Sequence, residues 1–161
     1  MNDVYLLLGS NLGDRKLYMQ QAIELIEQGI SPVVKTSSVY ETQSWGKTDA
    51  PDYLNRVVIL NTNMPAQTIL HKILAIEIAL GRRREEKWGS RTIDIDLLFY
   101  GKEIINEPNL QVPHPELHKR RFTLAPLNEI AGNFKHPVSK NTIHELINEL
   151  SDDLVVKKIY F

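Results

Sequence analysis

The sequence predicts an α+β sandwich with the ferredoxin-like order βαββαβ and additional helices at the C-terminal end. Two observations predict it. Apolar runs of strand length and segments of helical periodicity follow one another in the order strand, helix, strand, strand, helix, strand. The composition is 42% hydrophobic and 24% charged over 161 residues, enough apolar material for one core without metal or disulfide staples. No internal repeat, linker or low-complexity stretch interrupts the pattern, so residues 1–161 read as a single domain.

Val4 to Leu8 is a short apolar run followed by Gly9-Ser10-Asn11-Leu12-Gly13-Asp14, which predicts a buried strand ending in a turn. From Arg15 to Glu27, Met19, Ile23 and Ile26 recur at helical spacing, with Asp14 or Asn11 as cap and Gly29 as terminator. Pro32 precedes a β-rich segment from Val33 to Tyr40, and Glu41 to Asp52, with few apolar residues, reads as a long exposed loop. Tyr53 to Asn63 reads as a strand centred on Val57, Val58, Ile59 and Leu60. Pro65 opens a helix whose inner face is Ile69, Ile73, Ile76 and Leu80, and Gly81 closes it. A basic loop, Arg82 to Arg91, leads into a strand from Thr92 to Tyr100. Further on, a short helix spans Phe122 to Ala131 and another begins at Thr142, where Thr142 and Glu145 have capping-box spacing. Leu154 to Ile159 is expected to be a last strand.

Charge and composition narrow the function classes. Lys and Arg number 19 against 20 Asp and Glu, so bulk attraction to nucleic acid or to an anionic membrane is not the design. The absence of cysteine excludes a thiol nucleophile and thiolate metal sites, and it is compatible with a reducing cytosol. The N-terminal Asp3 stands where a signal peptide wants a base, and Val4 to Leu8 is too short for a signal or membrane segment. A cytoplasmic monomer is the expectation.

The sharpest chemical signal is Thr92-Ile93-Asp94-Ile95-Asp96-Leu97-Leu98. Alternation on a strand turns Ile93, Ile95, Leu97 and Phe99 one way and both aspartates the other, with α-carbons about 7 Å apart. Two carboxylates at that separation repel by about 2 kcal/mol at an effective dielectric near 20. A divalent cation turns this cost into a use, whereas a half-exposed strand with an acidic polar face would show the same pattern. Arg82-Arg83-Arg84 and Lys87-Trp88-Gly89-Ser90-Arg91 lead into the acids, and acids beside arginines suit a metal–polyphosphate site as well as a solvated ion-pair network. With no apolar periodicity to anchor it, this basic segment is expected to act as a lid over nucleotide. Gly9-Ser10-Asn11-Leu12-Gly13 lacks the P-loop ending and reads as turn plus cap. His71 and His144 read as ordinary helical residues, whereas two prolines stiffen the chain around His114.

The segment Lys87 to Leu98 resembles the signature of 6-hydroxymethyl-7,8-dihydropterin pyrophosphokinases of folate biosynthesis. The resemblance continues in Gly9-Ser10-Asn11, Pro51-Asp52-Tyr53-Leu54-Asn55, Val112-Pro113-His114, Arg120-Arg121-Phe122 and Ala125-Pro126-Leu127, in family order along the whole chain. It implies a ferredoxin-like fold and transfer of pyrophosphate from ATP to the hydroxymethyl group of the dihydropterin, with release of AMP. It implies that Asp94 and Asp96 hold two Mg²⁺ ions, that Arg82, with Arg83 or Arg84, and Arg91 contact phosphate, and that Glu77, Trp88, His114 and Arg120 serve the nucleotide. Tyr53 and Phe122 would sandwich the pterin ring, Asn55 would bond its edge, and the stretch Thr42 to Gly46, with Trp45, would read the remaining edge atoms. Two other classes fit parts of the pattern: an RNA-binding sheet, which the balanced charge disfavours, and a metal-dependent nuclease built on Asp94 and Asp96.

Overall fold

The strand β1, Asn2–Ser10, is buried without interruption from Val4 onward. Alternate strand residues face opposite sides, so an unbroken buried run means that both faces of the sheet are covered. The computed structural model describes residues 1–42, 52–81, 92–151 and 155–159. Within these, β1 is followed by α1 (Arg15–Gly29), β2 (Val33–Thr36), β3 (Val39–Thr42), β4 (Tyr53–Thr62), α2 (Ala66–Ala79) and β5 (Asp94–Tyr100). Then come a hairpin of β6 (Ile105–Glu107) and β7 (Leu110–Val112), a 3₁₀ turn (Leu117–Lys119), α3 (Arg121–Ala131), α4 (Ile143–Asn148) and β8 (Val156–Ile159).

The main sheet has the order β5-β1-β4-β3-β8, with β2 also paired to β4, and its pairings are antiparallel. This is the ferredoxin-like arrangement. Helices α1 and α2 cover one face, packing Met19, Ala22, Ile26, Ile69, Ile73 and Ile76 on Val4, Leu6, Leu8, Ile95 and Leu97. Helices α3 and α4 cover the other, packing Leu124, Leu127, Ile143 and Leu146 on Tyr5, Leu7, Val57, Ile59 and Phe99. The C-terminal helices are thus the lid of a second core, not an appendage.

Local chemistry sets the boundaries. Asp14 caps α1, its carboxylate accepting from the Leu17 N–H at 3.2 Å. Thr142 and Glu145 form the expected capping box, with bonds of 3.0 and 3.1 Å. Pro65 stands at the N-cap of α2 and not inside it, which suits a residue without an N–H.

Four expectations need correction. The β-rich segment is two strands, because buried Ser37 interrupts it: its hydroxyl accepts from the Val57 N–H at 2.9 Å while its own N–H donates to the Val57 carbonyl at 2.9 Å. Glu41 and Thr42 belong to β3 instead of the following loop. The last strand begins at Val156. Phe99 does not share a face with Ile93, Ile95 and Leu97. The pairing of β5 with β1 shifts by one residue between Tyr5 and Leu6, so Leu98 is the extra residue of a β-bulge, and Leu98 and Phe99 both enter the second core.

Candidate active site

The C-terminal end of β1, the end of β3 and the beginnings of β4 and β5 lie together at one end of the sheet, as the antiparallel registers require. Asp94 pairs with Gly9, Gly9 with Asn55 and Asn55 with Tyr40, giving one row across four strands. Asp96 pairs with Leu7, and Thr42 with Tyr53, so these residues share a face with that row. It is the face that α3 covers, and Phe122 of α3 packs at the margin of its core. One surface therefore carries Asp94, Asp96, Asn55, Thr42, Tyr53 and Tyr40.

The aspartates are half-buried, whereas Ile93, Ile95 and Leu97 between and around them are buried. The alternation read from sequence holds up to the bulge. Behind the strand, Glu77 of α2, only 2% exposed, accepts a 2.8 Å hydrogen bond from the Ile95 N–H. That bond fixes the backbone between the two aspartates. Their donor set is anionic oxygen throughout, which fits a hard cation such as Mg²⁺. Among the described residues no group of three His, Cys, Asp or Glu side chains stands ready to hold a metal. Two carboxylates with the remaining positions left to water and phosphate is the usual pattern for Mg²⁺.

Gly9 is a strand residue and not part of a turn, and its lack of a side chain has a use. A β-carbon there would stand 2.9 Å from Asn55 Nδ2. The amide lies over the glycine, donating to the Leu8 carbonyl at 3.4 Å. Asn55 is 4% exposed and Thr42 3% exposed, and among the described residues Asn55 Oδ1, Thr42 Oγ1 and Thr92 Oγ1 are buried without a hydrogen-bond partner. Unmet buried polar atoms are costly and rare. Thr42 and Asn55 are diagonal cross-strand neighbours, with β-carbons about 7 Å apart. Their unpaired oxygens, beside the ring of Tyr53, suit the polar edge of a flat heteroaromatic ligand.

The opposite rim is built by the segment after β7. The Val112-Pro113 peptide is cis, and the His114 N–H donates to the Leu98 carbonyl at 3.0 Å, tying the segment to β5. His114 Nδ1 accepts from the Glu116 N–H at 3.2 Å, so the neutral ring carries its proton on Nε2. Burial, and then the positive charge of Arg120, hold the His114 pKa below its ordinary value of 6.5, with Glu116 and Asp94 opposing. His114 is accordingly a neutral donor at pH 7. The Arg120 guanidinium carbon lies 5.6 Å from the Phe122 ring centroid, a cation–π contact.

The structure thus brings together Asp94, Asp96, Tyr53, Asn55, Thr42, His114, Arg120 and Phe122, while Glu77 lies behind the strand and acts through the Ile95 backbone. Arg82, Arg84, Trp88 and Arg91, with the expected lid, and Trp45 and Gly46 lie outside the described residues. Both segments concerned join the chain at this end of the sheet. His71 and His144 are exposed, as their spacing suggests. Sequence reasoning missed Tyr40, whose hydroxyl donates to Glu129 of α3 at 2.8 Å, and Ser10, whose buried hydroxyl donates to the Thr92 carbonyl. The signal for Tyr40 was its period-two place beside Asn55, hidden until the register was known.

The profile of the family described as 7,8-dihydro-6-hydroxymethylpterin-pyrophosphokinase (HPPK) matches residues 5–132. The 2-amino-4-hydroxy-6-hydroxymethyldihydropteridine pyrophosphokinase of Aquifex aeolicus is 43% identical over 145 residues, 90% of each chain. The enzyme of the same name from Bacillus subtilis is 44% identical over 132 residues, 81% of this chain and 79% of its own. Among solved structures, wild-type Plasmodium falciparum HPPK-DHPS aligns over 92% of this chain with a TM-score of 0.73 at 20% identity, a likeness of fold alone. This chain spans 43% of the length of that protein. The family match covers β1 through α3, and so every element that builds the end of the sheet just described: the chain belongs to the HPPK family.

Proposed function

We propose that this surface transfers pyrophosphate from ATP to the hydroxymethyl group of 6-hydroxymethyl-7,8-dihydropterin, releasing AMP in folate biosynthesis, and that the transfer depends on Mg²⁺. The observation that carries the reading is the single row in which Asp94 faces Asn55 across Gly9. Two inter-strand spacings, about 10 Å, separate them at the backbone, room for a pterin head at one end and the phosphates at the other.

The residues divide the work by chemistry. Asn55 Oδ1 and Thr42 Oγ1 are buried acceptors, with Thr42 also a donor, and meet the donor and acceptor edge of the pterin. Tyr53 and Phe122 offer aromatic faces to the ring. Asp94 and Asp96 would hold Mg²⁺, which when bound neutralises phosphate charge and lowers the pKa of an alcohol. His114 donates from Nε2 without adding a positive charge, and Arg120 supplies a permanent cation on the nucleotide side. By the resemblance, Arg82, Arg84, Arg91 and Trp88 would serve the nucleotide, and Trp45 and Gly46 the pterin. Ordering two substrates for in-line displacement is the main task, because phosphoryl chemistry asks little more than position and charge.

The test is incubation with MgATP and the hydroxymethyl dihydropterin. AMP formed only when both are present, and lost with chelator, is the expected result. AMP formed without pterin, or equal turnover in chelator, would overturn it.

A further inference from the structure

We propose that Arg15 is a positioning residue that sets the pterin-facing end of β3 and β4. It opens α1, and its partners among the described residues, Glu41 and Asp52, are not residues assigned to substrate. Its Nη1 nitrogen donates to Glu41 Oε2 at 3.0 Å and to the backbone carbonyl of Asp52 at 2.7 Å. Glu41 immediately precedes Thr42, and Asp52 immediately precedes Tyr53. Among the described residues, Thr42 and Tyr53 are the outermost register pair of β3 with β4. The end of a ladder opens more easily than its middle, and Thr42 is held from its other side by Val156 of β8. One guanidinium holds both flanks of the pair of Thr42 with Tyr53, and it does so from a helix whose first turn is fixed by the Asp14 cap.

The geometry separates this contact from an ordinary surface ion pair. Exposed pairs between flexible side chains contribute little, because two long chains are ordered for one screened contact. Here one partner is a backbone carbonyl, and the ion pair is about one-third exposed on each side. The planar fork sends the two Nη1 hydrogens in fixed directions, so Glu41 and Asp52 are set relative to each other. Thr42 Oγ1 stands one residue from the Glu41 anchor and Asn55 Oδ1 three residues from the Asp52 anchor; both are buried and unpaired, and their spacing is what a rigid heterocycle would meet. Arg15 therefore affects pterin affinity through the backbone, and nucleotide affinity hardly at all.

This inference rests on the pyrophosphokinase reading, and the experiment separates the two. In the full chain, Arg15→Ala should raise the KM for the hydroxymethyl dihydropterin by about tenfold and leave the KM for ATP within about twofold. Titration of the pterin alone, followed by calorimetry, should show the same loss of affinity without reliance on turnover. Glu41→Gln keeps the Asp52 carbonyl contact and should lose less than Arg15→Ala, and Arg15→Lys should recover part of the loss. Far-UV circular dichroism identifies any variant that fails to fold, in which case Glu41→Gln and Arg15→Lys carry the comparison. Equal rises in both KM values, or unchanged pterin affinity in folded variants, would overturn the positioning role. Absence of AMP from the unmodified chain together with intact pterin binding would instead count against the pyrophosphokinase reading.

Discussion

Glu77 Oε2 accepts a 2.8 Å hydrogen bond from the N–H of Ile95, the residue between the two acids of the site. Glu77 is a buried carboxylate on α2, on the face of the sheet opposite the substrate surface, and Ile95 sits in the same apolar core. Burying a carboxylate in that core would be unfavourable without such a partner. The bond makes the strand between Asp94 and Asp96 part of the helix–sheet framework.

Removing that acceptor should therefore act on stability and on turnover together. Glu77→Ala leaves the Ile95 N–H without its carboxylate and should cost about 1–3 kcal/mol of stability, read as a lower Tm. Glu77→Gln keeps an acceptor oxygen and should lose less of both stability and AMP formation. An unchanged Tm in Glu77→Ala would show that the bond does not hold the strand.

Asp94→Asn and Asp96→Asn should each abolish AMP formation and leave the chain folded. The two carboxylates repel by about 2 kcal/mol at an effective dielectric near 20, so removing one charge relieves that repulsion, and both variants should keep a cooperative thermal transition. Calorimetric titration with Mg²⁺ and an ATP analogue should lose its metal-dependent signal in both variants. Near-normal turnover in either, or unfolding, would exclude these acids as the metal-holding pair.

How much of this could be read from the sequence depends on which interactions are local. Helix α1 with its Asp14 cap, the capping box at Thr142 and the two-sided alternation through Ile93, Ile95 and Leu97 were legible because each spans a few residues. Phe99 was misread because the bulge depends on the pairing of β5 with β1, which alternation cannot report. Thr42 looked like a loop residue because it is polar and precedes a polar stretch; its strand is made by partners at Tyr53 and Val156. Asp94, Asp96, the arginine flank and His114 stand out in the residue pattern itself, the pterin-side residues follow from the motif resemblance, and only the register shows that Asp94, Gly9 and Asn55 form a row. The short β6–β7 hairpin escaped notice since three-residue strands carry no periodicity.

Gly9 gives a steric test of the row. A β-carbon at residue 9 would lie 2.9 Å from Asn55 Nδ2 and 4.0 Å from the Asp94 carbonyl oxygen. Gly9→Ala should force the amide aside at a cost of about 1–3 kcal/mol, as overpacking in a tight site does. The expected kinetic result is a raised KM for the pterin with the KM for ATP little changed. A fully active, equally stable Gly9→Ala would mean that the amide need not lie over the glycine.

The last prediction concerns pH and a histidine away from the acids. His136 is buried against Phe99, with ring centroids 5.7 Å apart, and its Nδ1 accepts from the N–H groups of Val138 and Ser139 at 3.2 Å each. Burial, and then the charge of His118, hold its pKa below the ordinary 6.5. His114 is shifted in the same direction, chiefly by burial. In the unfolded chain these rings take up protons near their ordinary value, while the folded chain resists. The unfolded state then binds more protons, and stability falls as pH drops through 6.5 until the folded rings also titrate. Glu129, against the opposing effect of burial, is held below its ordinary 4.5 by hydrogen bonds from Tyr40 and Ser38, and Glu145 by hydrogen bonds from Thr142, so their contribution is lost only in a separate, more acid window. The Tm should therefore be lower at about pH 5.5 than at about pH 7.5. His118→Gln, which removes the nearby cation but leaves His136 and its turn intact, should narrow that difference. A Tm that is flat over this range would contradict the assignment of His136 as a histidine that the fold keeps neutral, and a difference untouched by His118→Gln would leave burial as its cause.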